Sequence, residues 1–134
     1  MIVLPERRNV AVKDFSEVDC EGWLLQRSRR GSVMWKKRWC LVHSNTLYTF
    51  QNKQGTKAET LVRLPGFTVS PADEVKSRQF AFKVYHTGTT FYFAAETHFE
   101  LSVWLDAITT ATLAQNSQGE GIHLNHCLIL GGLF

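Results

Sequence analysis

Cysteine is scarce in this chain, and long apolar runs are missing altogether. Three cysteines (Cys20, Cys40, Cys127) are scattered over 134 residues. So odd and sparse a set offers no disulfide framework and fits free thiols in a reducing compartment. There is no Asn-x-Ser/Thr sequon. No stretch approaches the ~20 apolar residues needed to cross a bilayer. The opening Met1-Ile2-Val3-Leu4-Pro5-Glu6-Arg7-Arg8 has no secretory apolar region and no Gly at position 2 for myristoylation. These absences predict a soluble, cytoplasmic chain. The G-x-S-x-G, P-loop and His-Glu-x-x-His patterns are also lacking. The sequence therefore reads as non-enzymatic, with no cofactor and no metal.

The most informative absence is local. Between Trp23 and Trp39 there is no acid, while six cations fall there: Arg27, Arg29, Arg30, Lys36, Lys37 and Arg38. The whole chain carries only +3. Without those six, nine cations face twelve acids and the remainder is near −3. Positive charge is thus gathered into one segment rather than spread over a solubilising surface, which predicts an anion-binding face.

What is present describes one folded domain with tails. Hydrophobic residues make up 44% and charged residues 20%, a globular balance that argues against disorder. Residues 1–19 show no sustained period and read as a lead-in. Strand signals then recur at short intervals: Trp23 to Arg27, Trp35 to Val42, Leu47 to Phe50, Leu61 to Leu64, Phe67 to Val69, Phe80 to Tyr85 and Phe91 to Ala94. Between them lie turn segments such as Ser28 to Met34, Ser44-Asn45-Thr46, Pro65-Gly66 and Thr87-Gly88-Thr89. Seven short strands with turn chemistry between them predict a mostly β, antiparallel barrel or sandwich.

The period then changes. Leu101, Trp104, Leu105, Ile108 and Ala111 recur at helical spacing, giving one apolar stripe. Thr97 and Glu100 form a capping box, and Gln115 to Gly119 would end the helix. Such a helix can close the open end of a barrel, with Trp104 as its plug. Residues 20–115 form the domain, and 116–134 are a tail outside it.

Gly22-Trp23-Leu24-Leu25, Trp35-Lys36-Lys37-Arg38-Trp39, Leu47-Tyr48, Phe91-Tyr92-Phe93-Ala94-Ala95 and Trp104-Leu105, in this order and spacing, resemble a pleckstrin homology (PH) domain. The resemblance runs from about Cys20 to Ala114. Cys20-Glu21-Gly22-Trp23, Lys57-Ala58-Glu59, Phe80-Ala81-Phe82-Lys83 and Phe91 to Glu96 are most similar to the PH domains of the connector enhancers of kinase suppressor of Ras and of the cytohesin-interacting scaffold proteins. The resemblance implies a seven-stranded barrel capped by one C-terminal helix, with Trp23, Trp39, Phe82, Phe93 and Trp104 as its structural core. It also implies phosphoinositide binding through a Lys on the first strand and a Lys/Arg-x-Arg on the second. Lys36-Lys37-Arg38 supplies the second element. Gln26 stands where the Lys is expected, Thr49 where a Tyr often reaches the headgroup, and Glu59 where an Arg is usual.

The expected ligand-binding set is Arg27, Arg29, Arg30, Lys36, Lys37, Arg38 and Lys57. Lys36 and Arg38, two apart, share one strand face and would contact phosphate, with the others supplying the field. The function predicted is a monomeric, non-enzymatic signalling adaptor that binds anionic phospholipid weakly to moderately and associates peripherally with the plasma membrane. The alternative is a protein-interaction module on the same fold. Nucleic acid is disfavoured because Trp35 and Trp39 read as core positions rather than a stacking platform. Cys40 and His43 have a metal-like spacing, but three residues along a strand point to opposite faces. His123, His126 and Cys127 lack a second cluster that would complete four ligands. The apolar tail from Cys127 to Phe134 reads as a docking segment, an alternative chain end, or a consequence of where the chain was cut.

Overall fold

Period-2 alternation along the chain is realised as one continuous sheet. The computed structural model describes residues 9–114. Its strands are β1 (Cys20–Arg27), β2 (Trp35–His43), β3 (Thr46–Phe50), β4 (Thr60–Arg63), β5 (Thr68–Pro71), β6 (Ala81–His86) and β7 (Thr89–Ala94), followed by helix α1 (His98–Leu113). The sheet order is β4-β3-β2-β1-β7-β6-β5, with antiparallel neighbours throughout. The mostly β fold with one C-terminal helix is therefore as the sequence predicts. The two-residue connection between β2 and β3 puts Ser44 at φ 50° and Asn45 at φ 62°. Asn tolerates that left-handed backbone better than most residues, and the twist suits a tight hairpin.

β1 and β7 pair through only two positions, Leu25↔Ala94 and Gln26↔Phe93. At that narrow junction the sheet folds over on itself and encloses a core. Leu24, Cys40, Val42, Leu47, Val62, Phe82, Val84 and Phe93 point inward and meet Trp104, Ile108 and Ala111 of α1. Phe82 and Phe93 are fully buried and stack at 5.5 Å. Trp104 is buried too, so the helix closes the barrel through its ring. α1 lies mainly along β5. Thr97 Oγ1 accepts from the Glu100 amide at 3.1 Å. The reciprocal bond runs from the Glu96 amide to Glu100 Oε1, one residue before the expected partner.

Trp23 is not a core residue. It lies on the outside of the sheet and is 36% exposed. The reason is parity: Gly22, Leu24 and Gln26 take the inner face, which leaves Trp23, Leu25 and Arg27 outside. Trp39 is also outward, half-buried against Leu41, Phe50 and Ala58. This second, smaller core is completed by the lead-in, whose Val12, Phe15 and Val18 pack on it. The lead-in is anchored by Val12 N–H to the Gly55 carbonyl (2.9 Å) and Asp19 N–H to the Val42 carbonyl (2.8 Å). Trp35 is half-buried on the outer face as well, beside Leu25, Ala72 and Ala94. The helix terminator from Gln115 to Gly119, the His123, His126 and Cys127 cluster and the apolar tail lie outside the described residues.

Candidate anion-binding site

Register decides which cation faces where. β1 and β2 pair so that Gln26 is opposite Lys36 and Leu24 opposite Arg38. Cys40 and Val42 are inward, so Lys36 and Arg38, at even spacing along the same strand, continue that face out to the barrel mouth. Thr49 and Thr60, paired across β3 and β4, belong to the same mouth. The Gln26 side-chain amide donates to Thr60 Oγ1 at 3.3 Å. Thr49 is fully buried, and its hydroxyl oxygen has no hydrogen-bond partner among the described residues.

Arg38 is engaged rather than open. Its Nε lies 2.7 Å from Glu59 Oε1, the two side chains being 17% and 35% exposed, and its Nη1 donates to the Lys37 carbonyl at 2.9 Å. Glu59 is held from two directions: its amide donates to the Thr49 carbonyl (2.8 Å), and Gln51 Nε2 donates to its Oε2 (2.7 Å). The position at which the family pattern has an Arg is thus filled by an acid paired to the mouth's own guanidinium.

The other hairpin cations are divided between surfaces. Arg27 and Lys37 are outward, the first 4.0 Å from the Tyr92 ring centroid and the second 4.6 Å from that of Trp23. Arg29 sits 4.3 Å over Phe91, and Arg30 is exposed at the loop tip. Lys57 is exposed in the β3–β4 loop, which lines a shallow depression of ≈ 550 Å³ with Gln51 and Glu59. Lys36 and Arg38 thus share the mouth face of β2, Arg29 packs on a ring of the inner core, and Arg27 and Lys37 lie on the outer face.

The β1–β2 loop is fastened at its neck. Ser28 N–H donates to the Met34 carbonyl (2.7 Å). Its hydroxyl donates to the Ser32 carbonyl and accepts from the Met34 amide, each at 3.0 Å. Gly31 at φ 70° makes the bend that an L side chain would resist. Val33 and Met34 project from this loop 63% and 52% exposed, in a segment that also carries Arg29, Arg30 and Lys36. These two residues belong to none of the strand or helix patterns of the sequence. Their signal was an apolar pair in a polar, cationic turn, with no periodic partner to bury it.

The two described thiols, Cys20 and Cys40, do not supply a reactive site. Burial pushes Cys20 up to about 12 and raises Cys40 further, so both stay protonated at neutral pH. Cys40 points inward, whereas His43 Nδ1 lies 2.7 Å from the Glu17 carbonyl on the outside. No three His, Cys, Asp or Glu among the described residues are placed to hold a metal ion. No described helix is long and apolar enough to cross a membrane.

The family model described as "PH domain" matches residues 18–112. The chain is 41% identical over 115 residues to the human protein named interactor protein for cytohesin exchange factors 1, covering 83% of this chain and 26% of that one. It is 32% identical over 117 residues to human connector enhancer of kinase suppressor of ras 1, covering 84% and 16%. The chain thus spans about a quarter or less of these relatives. Among solved structures, the PH domain of human pleckstrin homology domain-containing protein family A member 5 superposes with a TM-score of 0.65 at 29% identity, covering 75% of this chain and 80% of that one.

Proposed function

The chain belongs to the PH domain family, and from that premise we propose that residues 20–115 act as a monomeric, non-enzymatic membrane-targeting module for phosphoinositide-bearing membranes, operating in the cytoplasm and at the plasma membrane. The observation that carries this reading is the β1–β2 loop, with Val33 and Met34 exposed on the arm that leads into β2 and cations in the same hairpin. A soluble anion has no use for exposed apolar side chains, whereas a bilayer takes both chemistries at once. Each cation near an anionic leaflet contributes about 1 kcal/mol, and full burial of a side chain the size of Val or Met contributes ~1.5–3 kcal/mol. Ordering and desolvation subtract from this sum, which leaves weak to moderate affinity. Lys36 and Arg38 would meet phosphate at the mouth, while Arg27, Arg29, Arg30, Lys37 and Lys57 would steer approach. The names of the relatives support a place in signalling assemblies.

Vesicle sedimentation with and without phosphoinositide, at two salt concentrations, tests the proposal. Binding should require the anionic lipid and fall as salt screens the patch. Retention of the protein by neutral vesicles alone, or by none, removes it. One observation favours a second reading, a protein-docking module: Phe99 and Val103, one turn apart on α1, are 75% and 39% exposed. Vesicle binding unaffected by any mouth or loop substitution would favour that reading.

A further inference from the structure

Among the described residues, Arg38 and Glu59 form the charged contact that sits in the mouth itself, and its geometry is that of an occupied anion site. The Glu59 carboxylate meets the guanidinium at 2.7 Å, where a phosphate oxygen would otherwise lie. It does not reach there by chance of a long side chain, because the Glu59 amide is fixed on the Thr49 carbonyl and the second carboxylate oxygen on Gln51. We propose that Glu59 is a built-in counter-anion that holds the mouth closed, so that a ligand engages Arg38 only by displacing it. This rests on the lipid-binding reading above and deepens it by naming what regulates that site.

The displacing group must outcompete a carboxylate that is already tethered. A phosphomonoester carries about −1.5 to −2 charges and three acceptor oxygens, so it gains on exchange. A phosphodiester or a serine carboxylate offers about one charge, no more than Glu59 itself, and does not. Apparent affinity for a ligand that needs the open form is lowered by the fraction of molecules open. Ligands held only by the diffuse field escape that penalty. Glu59 therefore lowers affinity for phosphomonoester headgroups while leaving general attraction to acidic lipid nearly unchanged.

The experiment compares wild type, Glu59→Ala and Glu59→Gln. Each is measured on phosphatidylinositol bisphosphate vesicles, on phosphatidylserine vesicles of matched charge, and on soluble inositol trisphosphate. Thermal melts establish that each variant is folded. Asp106→Asn, which removes one charge from an exposed position on α1, controls for net charge. Glu59→Ala should tighten bisphosphate vesicles and soluble trisphosphate about fivefold, the amount a partly exposed ion pair of ~1 kcal/mol withholds. Phosphatidylserine binding should change no more than it does in the Asp106→Asn control. The gain should vanish in an Arg38→Ala background. If wild type binds bisphosphate vesicles and the Glu59 variants bind no tighter, the gate is wrong and the lipid reading stands. A gain matched by Asp106→Asn, or one surviving without Arg38, overturns the gate in the same way. If neither wild type nor any variant binds an anionic vesicle, both readings fall together.

Discussion

Trp23 and Trp39 face each other across β1 and β2 on the outside of the sheet, ring edge to ring face at 5.3 Å. Lys37 lies over the first ring and Lys53, at 5.0 Å, over the second. This outer aromatic pair stabilises the hairpin from the wet side, whereas Trp104 plugs the barrel from within.

The two kinds of tryptophan should separate cleanly in denaturation. Trp104→Ala removes a buried ring from the only described α-helix and should cost ~3–5 kcal/mol, a large part of a typical 5–15 kcal/mol stability. Trp23→Ala loses a half-wet ring and an edge pair worth ~0.5–1.5 kcal/mol, and should leave a cooperative transition. Urea titrations of both variants measure this. Equal destabilisation would show that the outer pair carries more of the fold than its exposure implies.

Substituting Val33→Ser and Met34→Ser together should weaken sedimentation with phosphoinositide vesicles several-fold, consistent with losing ~0.8 kcal/mol per buried methylene. Calorimetric affinity for a soluble headgroup should stay unchanged, because neither side chain belongs to the mouth. A parallel loss in both measurements would mean that the loop shapes the headgroup site instead of entering lipid.

Selectivity among headgroups should be slight. Gln26 bonds Thr60 at 3.3 Å, Thr49 is sealed beneath, and Glu59 holds Arg38. The mouth therefore reads charge more than ring stereochemistry. Isomeric bisphosphates should bind within a few-fold of one another, and Gln26→Lys should tighten all of them by adding a cation opposite Lys36. Calorimetry with soluble isomers checks both. A preference above about tenfold for one isomer, roughly 1.4 kcal/mol, would mean that fixed donors exist after all.

Acid should unsettle the β5–β6 loop. Glu74 accepts from Lys83 Nζ at 2.9 Å and Tyr92 Oη at 3.0 Å, and the Lys83 bond is the main reason its carboxyl is lowered to about 2. A carboxyl held below its unfolded value stabilises the fold at pH above that value, near 4.5. That contribution is lost as pH falls from there toward 2. Thermal melts over this window should show a shallower acid loss for Glu74→Gln than for wild type. Identical slopes would place the acid sensitivity elsewhere.

Much of this protein was legible in its residues. Alternation with strong punctuation, as at Pro65-Gly66 and Thr87-Gly88, marked seven strands, and the Leu101–Trp104–Ile108 stripe behind Thr97 marked the helix. The concentration of six cations without an acid marked the hairpin, because composition alone reports where charge accumulates along a chain. The sequence did not say which side of each strand would be inside. A period of two defines two faces and leaves the choice between them to whatever closes the core. Once α1 brings Trp104 over Gly22, at 3.8 Å from where a side-chain carbon would stand, β1 must turn Leu24 inward and Trp23 outward. The same holds for the mouth. Arg38 and Glu59 are 21 positions apart in sequence and meet only because β3 pairs with both β2 and β4, so the ion pairing of the site was decided by strand pairing rather than by the hairpin that supplies its cations.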